Sequence, residues 1–129
     1  VAMKYLIDTN IFLEILLKQD KASTCKSFLN AHFDNICISD FSLHSIGVIL
    51  FRQNKDSIFQ KFVNDIIPKV QIIALPKEAY GHLIKRKKMS KLDFDDAYQF
   101  EIALNHNLEI VTMDKDFERI KDEGTVTFL

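Results

Sequence analysis

Asp93–Phe117 reads DFDDAYQFEIALNHNLEIVTMDKDF, a complete helix-to-strand unit closed by acids. Phe94, Ala97, Phe100 and Leu104 recur at helical spacing, which predicts an amphipathic helix over Asp93–Asn107. LEIVT at Leu108–Thr112 follows as a short strand, and Asp114 comes directly after it. Outward from this unit the alternation repeats. Lys4–Ile7 (KYLI) is a strand ending at Asp8, and Ile11–Leu17 and Ala22–Phe33 carry helical spacing around a polar break at Lys18–Lys21. Asn35–Ser39 (NICIS) is a second strand. Ser39 or Asp40 can cap the next helix, which carries Phe41, Leu43, Ile46, Ile49 and Leu50. Asp56–Ile67 is helical until Pro68, and Val70–Leu75 is a third strand. Pro76 opens a helix running to the basic stretch at Lys85, and Thr125–Phe128 is a fifth strand. Strands separated by helices need crossover connections, so an α/β fold with a mostly parallel sheet covered by helices is expected. No repeat or linker interrupts it, which gives a single domain over 3–129. Val1 and Ala2, ahead of Met3, read as an expression remnant.

Composition narrows the class. The 129 residues are 47% hydrophobic and 27% charged with three Gly and two Pro, which excludes collagen-like and disordered chains. No uninterrupted apolar run reaches the length of a membrane span, and VAMKYLID is too short for a secretory signal. Cys25 and Cys37 offer neither a disulfide framework nor paired-thiol metal spacing; reduced, packed thiols and a cytoplasmic location are expected. The formal net charge of −1 predicts no overall attraction to nucleic acid. Placement is polarised, however. Eight of the eighteen acids lie between Asp93 and Glu118, and five of the seventeen cations between Lys85 and Lys91.

The acids fall where strands end. Asp8 and Asp114 follow the first and fourth strands, at the strand edges where open α/β sheets bind ligands. Asp93 and Asp96 share one helix face. If that helix returns the fourth strand beside the first, Asp8, Asp96 and Asp114 converge. Each also has a plainer reading. Asp93 and Asp8 can cap helices, Asp95 can support a helix dipole, and Asp114 with Asp116 can form a turn. Converging carboxylates repel unless a cation offsets them, and oxygen-only ligands suit Mg²⁺ or Mn²⁺. Such an ion activates water and stabilises charge on a scissile phosphate, the logic of a metal-dependent nuclease.

Three motifs carry a resemblance. Ile7-Asp8-Thr9-Asn10, Asp93-Phe94-Asp95-Asp96-Ala97 and the turn from Thr112 to Phe117 occur in order along nearly the whole chain. Together the chain resembles a PIN domain, the nuclease fold of VapC-like toxins of toxin–antitoxin pairs. The resemblance implies a three-layer α/β/α sandwich with a five-stranded sheet and its first strand central. It implies metal-site and catalytic roles for Asp8, Asp96 and Asp114, supporting acids at Asp93 and Asp116, and orienting hydrogen bonds from Thr9, Asn10 and Thr112. It further implies an RNA substrate, an antitoxin protein as partner and a homodimer, for which exposed apolar residues of the early helices are the expected surface.

One position departs from the family. Its pattern places a Glu in the helix after the second strand, where Ser45 stands here. Asp40 sits on the wrong turn to replace it, and His44 points about 100° away. The leading expectation is therefore a Mg²⁺- or Mn²⁺-dependent endoribonuclease, and the alternative is a PIN-like module without turnover that binds RNA or protein. A receiver-type phosphoacceptor fits poorly, because Asp8 lacks an adjacent acid and no Lys follows the late strand at the required place. Lys85, Arg86, Lys87, Lys88 and Lys91 are candidate RNA-backbone contacts, or else a solvated helix end. Without a broader basic surface, RNA binding is expected to be weak and salt-sensitive. His32, His82 and His106 form no metal spacing, and Glu14 either borders the site or faces solvent.

Overall fold

Tyr5–Ile7 (β1) takes the centre of a five-stranded sheet, hydrogen-bonded on both edges. The computed structural model describes residues 3–129; Val1 and Ala2 lie outside them. Thr9–Leu16 (α1) and Ala22–His32 (α2) lead to Ile36–Ser39 (β2), and Asp40–Arg52 (α3) and Asp56–Asp65 (α4) lead to Gln71–Ile73 (β3). His82–Ser90 (α5) and Phe94–His106 (α6) carry the chain across to Glu109–Thr112 (β4), and Val126–Phe128 (β5) closes the far edge. The strand order is β3-β2-β1-β4-β5 and every pairing is parallel. Leu6 lies opposite both Cys37 and Ile110, and Ile7 opposite Val111.

The two-residue period of the strands divides the core into two layers. Leu6, Cys37 and Ile110 face α5 and α6, against Leu83, Leu92, Phe100 and Ile102. Tyr5, Ile7, Ile36, Ile38 and Val111 face the other way, against Ile11, Phe12, Leu29, Ile46, Leu50 and Phe62 of α1–α4. The result is the α/β/α sandwich that the alternation of helix and strand requires. Because the strands are buried on both faces, a truncation such as Leu6→Ala costs about 3 kcal/mol.

Local differences from the sequence reading have physical causes. β3 is an edge strand paired only with β2, so its ordered ladder is shorter than Val70–Leu75. Pro76 precedes a single 3₁₀ turn at Lys77–Ala79, and the helix proper begins only at His82. The basic residues thus occupy the body of α5, which stops where Lys91 turns left-handed at φ 59°. Ser39, not Asp40, caps α3 by accepting from the Ser42 N–H at 3.0 Å. Glu14 neither borders the acidic site nor faces solvent: it is buried, and its carboxylate accepts from the Lys21 N–H at 2.8 Å, closing the α1–α2 turn. Both cysteines are free and buried. Among the described residues no helix is long and apolar enough to cross a membrane. Among the described residues the large exposed apolar side chains include none on α1 or α2, and Phe51 on α3 is the first of them.

Candidate metal centre

The chain runs β1, β2, β3 to one side and then returns to place β4 on the other side of β1. Ligands gather outside the C-terminal strand ends at such a reversal. Asp8 follows β1 there and Asp114 follows β4, while the first turn of α6 brings Asp96 over the same edge. A cleft of about 280 Å³ opens between them, lined by Asp8, Asn10, Ser45, Asp96, Gln99 and Asp114 among others.

Asp8 is held from both sides. Its Oδ1 accepts from the Thr9 N–H at 2.8 Å, which starts α1, and from Gln99 Nε2 at 3.4 Å. Its Oδ2 accepts from the Thr112 hydroxyl at 2.7 Å. That same hydroxyl oxygen accepts from the Asp114 N–H at 2.9 Å and from Asn10 Nδ2 at 3.5 Å. Thr112 therefore ties β1 to β4 at the point where their acids meet. Burial pushes the Asp8 carboxyl up from its usual range, the hydrogen bonds from Thr112, Thr9 and Gln99 pull it down, and the charge of Asp114 raises it further. Thr9 is turned differently: its hydroxyl donates to Ser42 Oγ at 2.8 Å, which also accepts from Gln99 Nε2 at 2.9 Å.

The tightest acidic group is not the expected one. Ligand oxygens of Asp96, Asp114 and Asp116 all lie within 4.8 Å of one another. Asp8 lines the same cleft but stands outside this group. Asp116, expected as a support, is brought inward because its N–H donates to Asp114 Oδ1 at 2.9 Å, curling the chain into a 3₁₀ turn. Asp93 acts as the cap of α6, accepting from the Asp96 N–H at 3.2 Å. The Asp96 carboxyl is pushed up to about 8, first by burial and then by the negative charges of Asp93, Asp114, Asp8 and Asp116.

These residues fit a hard divalent cation. Every charged donor is a carboxylate, and three converge closely enough to share one ion. A bound cation would offset their mutual repulsion. In the same cleft Gln99 carries a buried acceptor, Oε1, with no hydrogen-bond partner. Ser45 lines the cleft where the PIN pattern has a Glu. Neither Asp40 nor His44 replaces it: Asp40 accepts from the Tyr98 hydroxyl at 2.8 Å, and His44 lies exposed on α3 in a different groove.

The basic stretch divides. Lys85, Lys87 and Lys88 are exposed on α5 and Lys91 on the loop beyond it, but Arg86 is not available to a backbone. Its Nε donates to buried Glu101 at 2.7 Å and Nη1 to Glu123 at 3.4 Å, with the guanidinium 4.8 Å from the Phe100 ring centroid. Long side chains on an amphipathic helix do not reveal by spacing alone which one reaches inward. The cation nearest the acids is one the sequence reading passed over. Arg119 Nη2 lies 3.6 Å from Asp116, and Nη1 donates to the Lys91 carbonyl at 2.9 Å. Gln99 and Ser42 were also missed. Gln99 was detectable as a polar residue three positions after Asp96 on the buried face of α6. His32, His82 and His106 have local roles, packed on Tyr5 and Phe28, beside Glu101, and against the Ile102 carbonyl.

Comparison with known proteins places the fold and the family. No curated protein matches the sequence significantly. Among solved structures, the chain is similar to FitAcB from Neisseria gonorrhoeae, with a TM-score of 0.81 at 17% identity over 97% of this chain and 96% of that one. A toxin-antitoxin complex from Klebsiella pneumoniae gives a TM-score of 0.76 at 23% identity, covering 96% of both chains. VapC20 of Mycobacterium tuberculosis, a sarcin-ricin loop cleaving toxin, gives 0.73 at 15% identity over 89% of this chain and 93% of that one. At these identities the likeness is one of fold. Residues 5–123 match the PIN domain family itself, and with acids set at the ends of β1 and β4 of a parallel sheet, the chain belongs to that family.

Proposed function

We propose that the protein is a metal-dependent endoribonuclease, the toxin of a toxin–antitoxin pair, with Asp8, Asp96 and Asp114 as its catalytic carboxylates and Asp116 beside them. The observation that carries this reading is the carboxylate cluster of Asp96, Asp114 and Asp116, with Asp8 in the same cleft. Asp8, Asp96, Asp114 and Asp116 would hold Mg²⁺ or Mn²⁺, which when bound supplies a water of lowered pKa and stabilises charge on the scissile phosphate. The chain's own contribution is placement. Thr112 and Gln99 fix the orientation of Asp8, and Thr112 also fixes the turn that carries Asp114. Gln99 also donates to Ser42 Oγ, which fixes its amide beside Asp8. Arg119, with Lys91, offers positive charge to the RNA backbone at the edge of the cleft. The antitoxin partner, supported by the toxin–antitoxin complexes among the structural neighbours, belongs to the same reading, as does the homodimer that the family resemblance implies. The test is RNA cleavage with Mg²⁺ or Mn²⁺, expected from the wild type and lost in Asp8→Asn and Asp96→Asn. Activity surviving both changes overturns the assignment.

Ser45 favours a second reading, a module that binds without turnover. A hydroxyl in the cleft leaves the cation one carboxylate short of the family pattern. Ser45→Glu separates the two: cleavage gained only in the variant supports an impaired site, and cleavage by the wild type supports the first reading.

A further inference from the structure

The three carboxylates that would share an ion come from two segments of chain. Asp96 stands on the first turn of α6, and Asp114 and Asp116 on the turn that follows β4. α6 has 13 residues and is therefore about 20 Å long. Its start is thus remote along the chain from the strand it feeds, and packing and side-chain bonds must hold it over the β4 turn. Two side chains from the connection between β4 and β5 make such bonds. Glu123 accepts from the Ser90 hydroxyl at 3.1 Å and from Arg86 Nη1 at 3.4 Å, which fastens the end of α5. Arg119 fastens the next residue and reaches an acid of the centre as well. Its Nη1 donates to the Lys91 carbonyl at 2.9 Å, while Nη2 lies 3.6 Å from Asp116 Oδ1. Lys91 is the residue that turns left-handed at φ 59°, a conformation that a side chain with a Cβ keeps only where its surroundings hold it. It lies two positions before the cap Asp93, so what holds its carbonyl also sets how α6 starts.

We propose that Arg119 is a positioning residue of the cation centre: its guanidinium joins the Asp116 carboxylate to the Lys91 carbonyl and so holds the β4 turn and the start of α6 at the separation a small divalent ion needs. The proposal rests on the metal-dependent reading and adds to it the residue that sets which ion fits. The planar fork of an Arg meets two acceptors at once through its terminal nitrogens, a geometry that a Lys ammonium on a flexible stem does not reproduce. Charge works in the opposite direction. A guanidinium beside Asp116 also repels an incoming cation, and by that effect its loss would tighten the binding of every divalent ion alike. Geometry discriminates between ions. Mg²⁺ demands near-octahedral oxygens at close range, whereas Ca²⁺ accepts longer bonds and irregular ligand sets. A clamp therefore favours Mg²⁺ over Ca²⁺, and a charge by itself does not.

The test is thermal melting of the full chain across a MgCl₂ series and, separately, a CaCl₂ series, from which linkage gives the affinity for each ion. No RNA is present, so the charge that Arg119 offers a backbone plays no part. Arg119→Ala and Arg119→Lys are expected to weaken Mg²⁺ binding about tenfold and Ca²⁺ binding much less, so that the preference for Mg²⁺ falls. Exposed Lys121→Ala, which removes the same charge from the same connection, should leave the ratio of the two affinities unchanged. Without added metal, in EDTA, the Arg119 variants should melt with the wild type, because an exposed ion pair contributes little to folding. The ratio decides even where melting shifts, since lost stability by itself acts on both ions alike. An unchanged ratio in Arg119→Ala overturns the clamp. So does tighter binding of both ions, which would assign Arg119 to charge, and so does full restoration of the ratio by Arg119→Lys. If the wild type binds Mg²⁺ in those cases, only the clamp falls. A wild type that binds neither ion overturns the metal-dependent reading with it.

Discussion

Replacing Asp96 by Asn should stabilise the metal-free protein. Asp96 is 8% exposed, and its carboxyl is pushed up to about 8 by burial and by the charges of Asp93, Asp114, Asp8 and Asp116. The folded state therefore binds more protons than the unfolded state between about 3.8 and about 8, and stability falls as pH rises through that window. The ceiling is the full displacement, about 6 kcal/mol above pH 8 at roughly 1.4 kcal/mol per pH unit. The carboxyl lines an open cleft, however, and water there screens much of it. An expected gain of about 1–3 kcal/mol remains at pH 8, which for a domain of this size raises Tm by roughly 4–10 °C. The measurement is thermal unfolding of wild type and Asp96→Asn in EDTA at pH 8 and pH 5, and again with Mn²⁺. The variant should melt higher in EDTA at pH 8, with the gap narrowing at pH 5, where the wild-type carboxyl already holds its proton. Excess Mn²⁺ should invert the order: ligand at about 1,000 times its Kd for the wild type stabilises it by about 4.1 kcal/mol, and the variant lacks the Asp96 ligand. A variant that melts at or below wild type in EDTA at pH 8, or a gap independent of pH, would refute the claim that the acids repel one another in the absence of an ion.

Three further outcomes follow from the same geometry. Mn²⁺ affinity should fall by up to about tenfold per pH unit from pH 8 downward, because the ion must displace the Asp96 proton; calorimetry in two buffers checks the proton release, and a pH-independent Kd speaks against it. Thr112→Val removes the donor to Asp8 and the acceptor for the Asp114 N–H, so it should cost about 1–3 kcal/mol in urea unfolding and lower kcat far more than it raises KM. Arg86→Ala leaves buried Glu101 without its closest cation and should destabilise by about 3 kcal/mol, whereas exposed Lys87→Ala should be neutral; equal melting of the two variants would contradict the inward placement of Arg86.

The sequence by itself determined the layers and the edge at which the chemistry sits. Helical and two-residue periods record which faces are buried, and that information is local. They were enough to require parallel strands under helices and to set Asp8 and Asp114 at strand ends. Which acids share an ion was decided only by tertiary structure. Distances across the β1/β4 edge depend on register and on competing hydrogen bonds, and those bonds hold Asp8 to Thr112 while curling Asp116 toward Asp114. The same holds for cations: Lys85–Lys88 look alike along the chain, yet only Arg86 meets a buried carboxylate and an aromatic face. Lys91 and Arg119 come from two separate segments, so the bond between them has no signature in spacing. Periodicity reports burial of single elements, whereas a site is made of contacts between elements, and those exist only once the sheet has fixed their order.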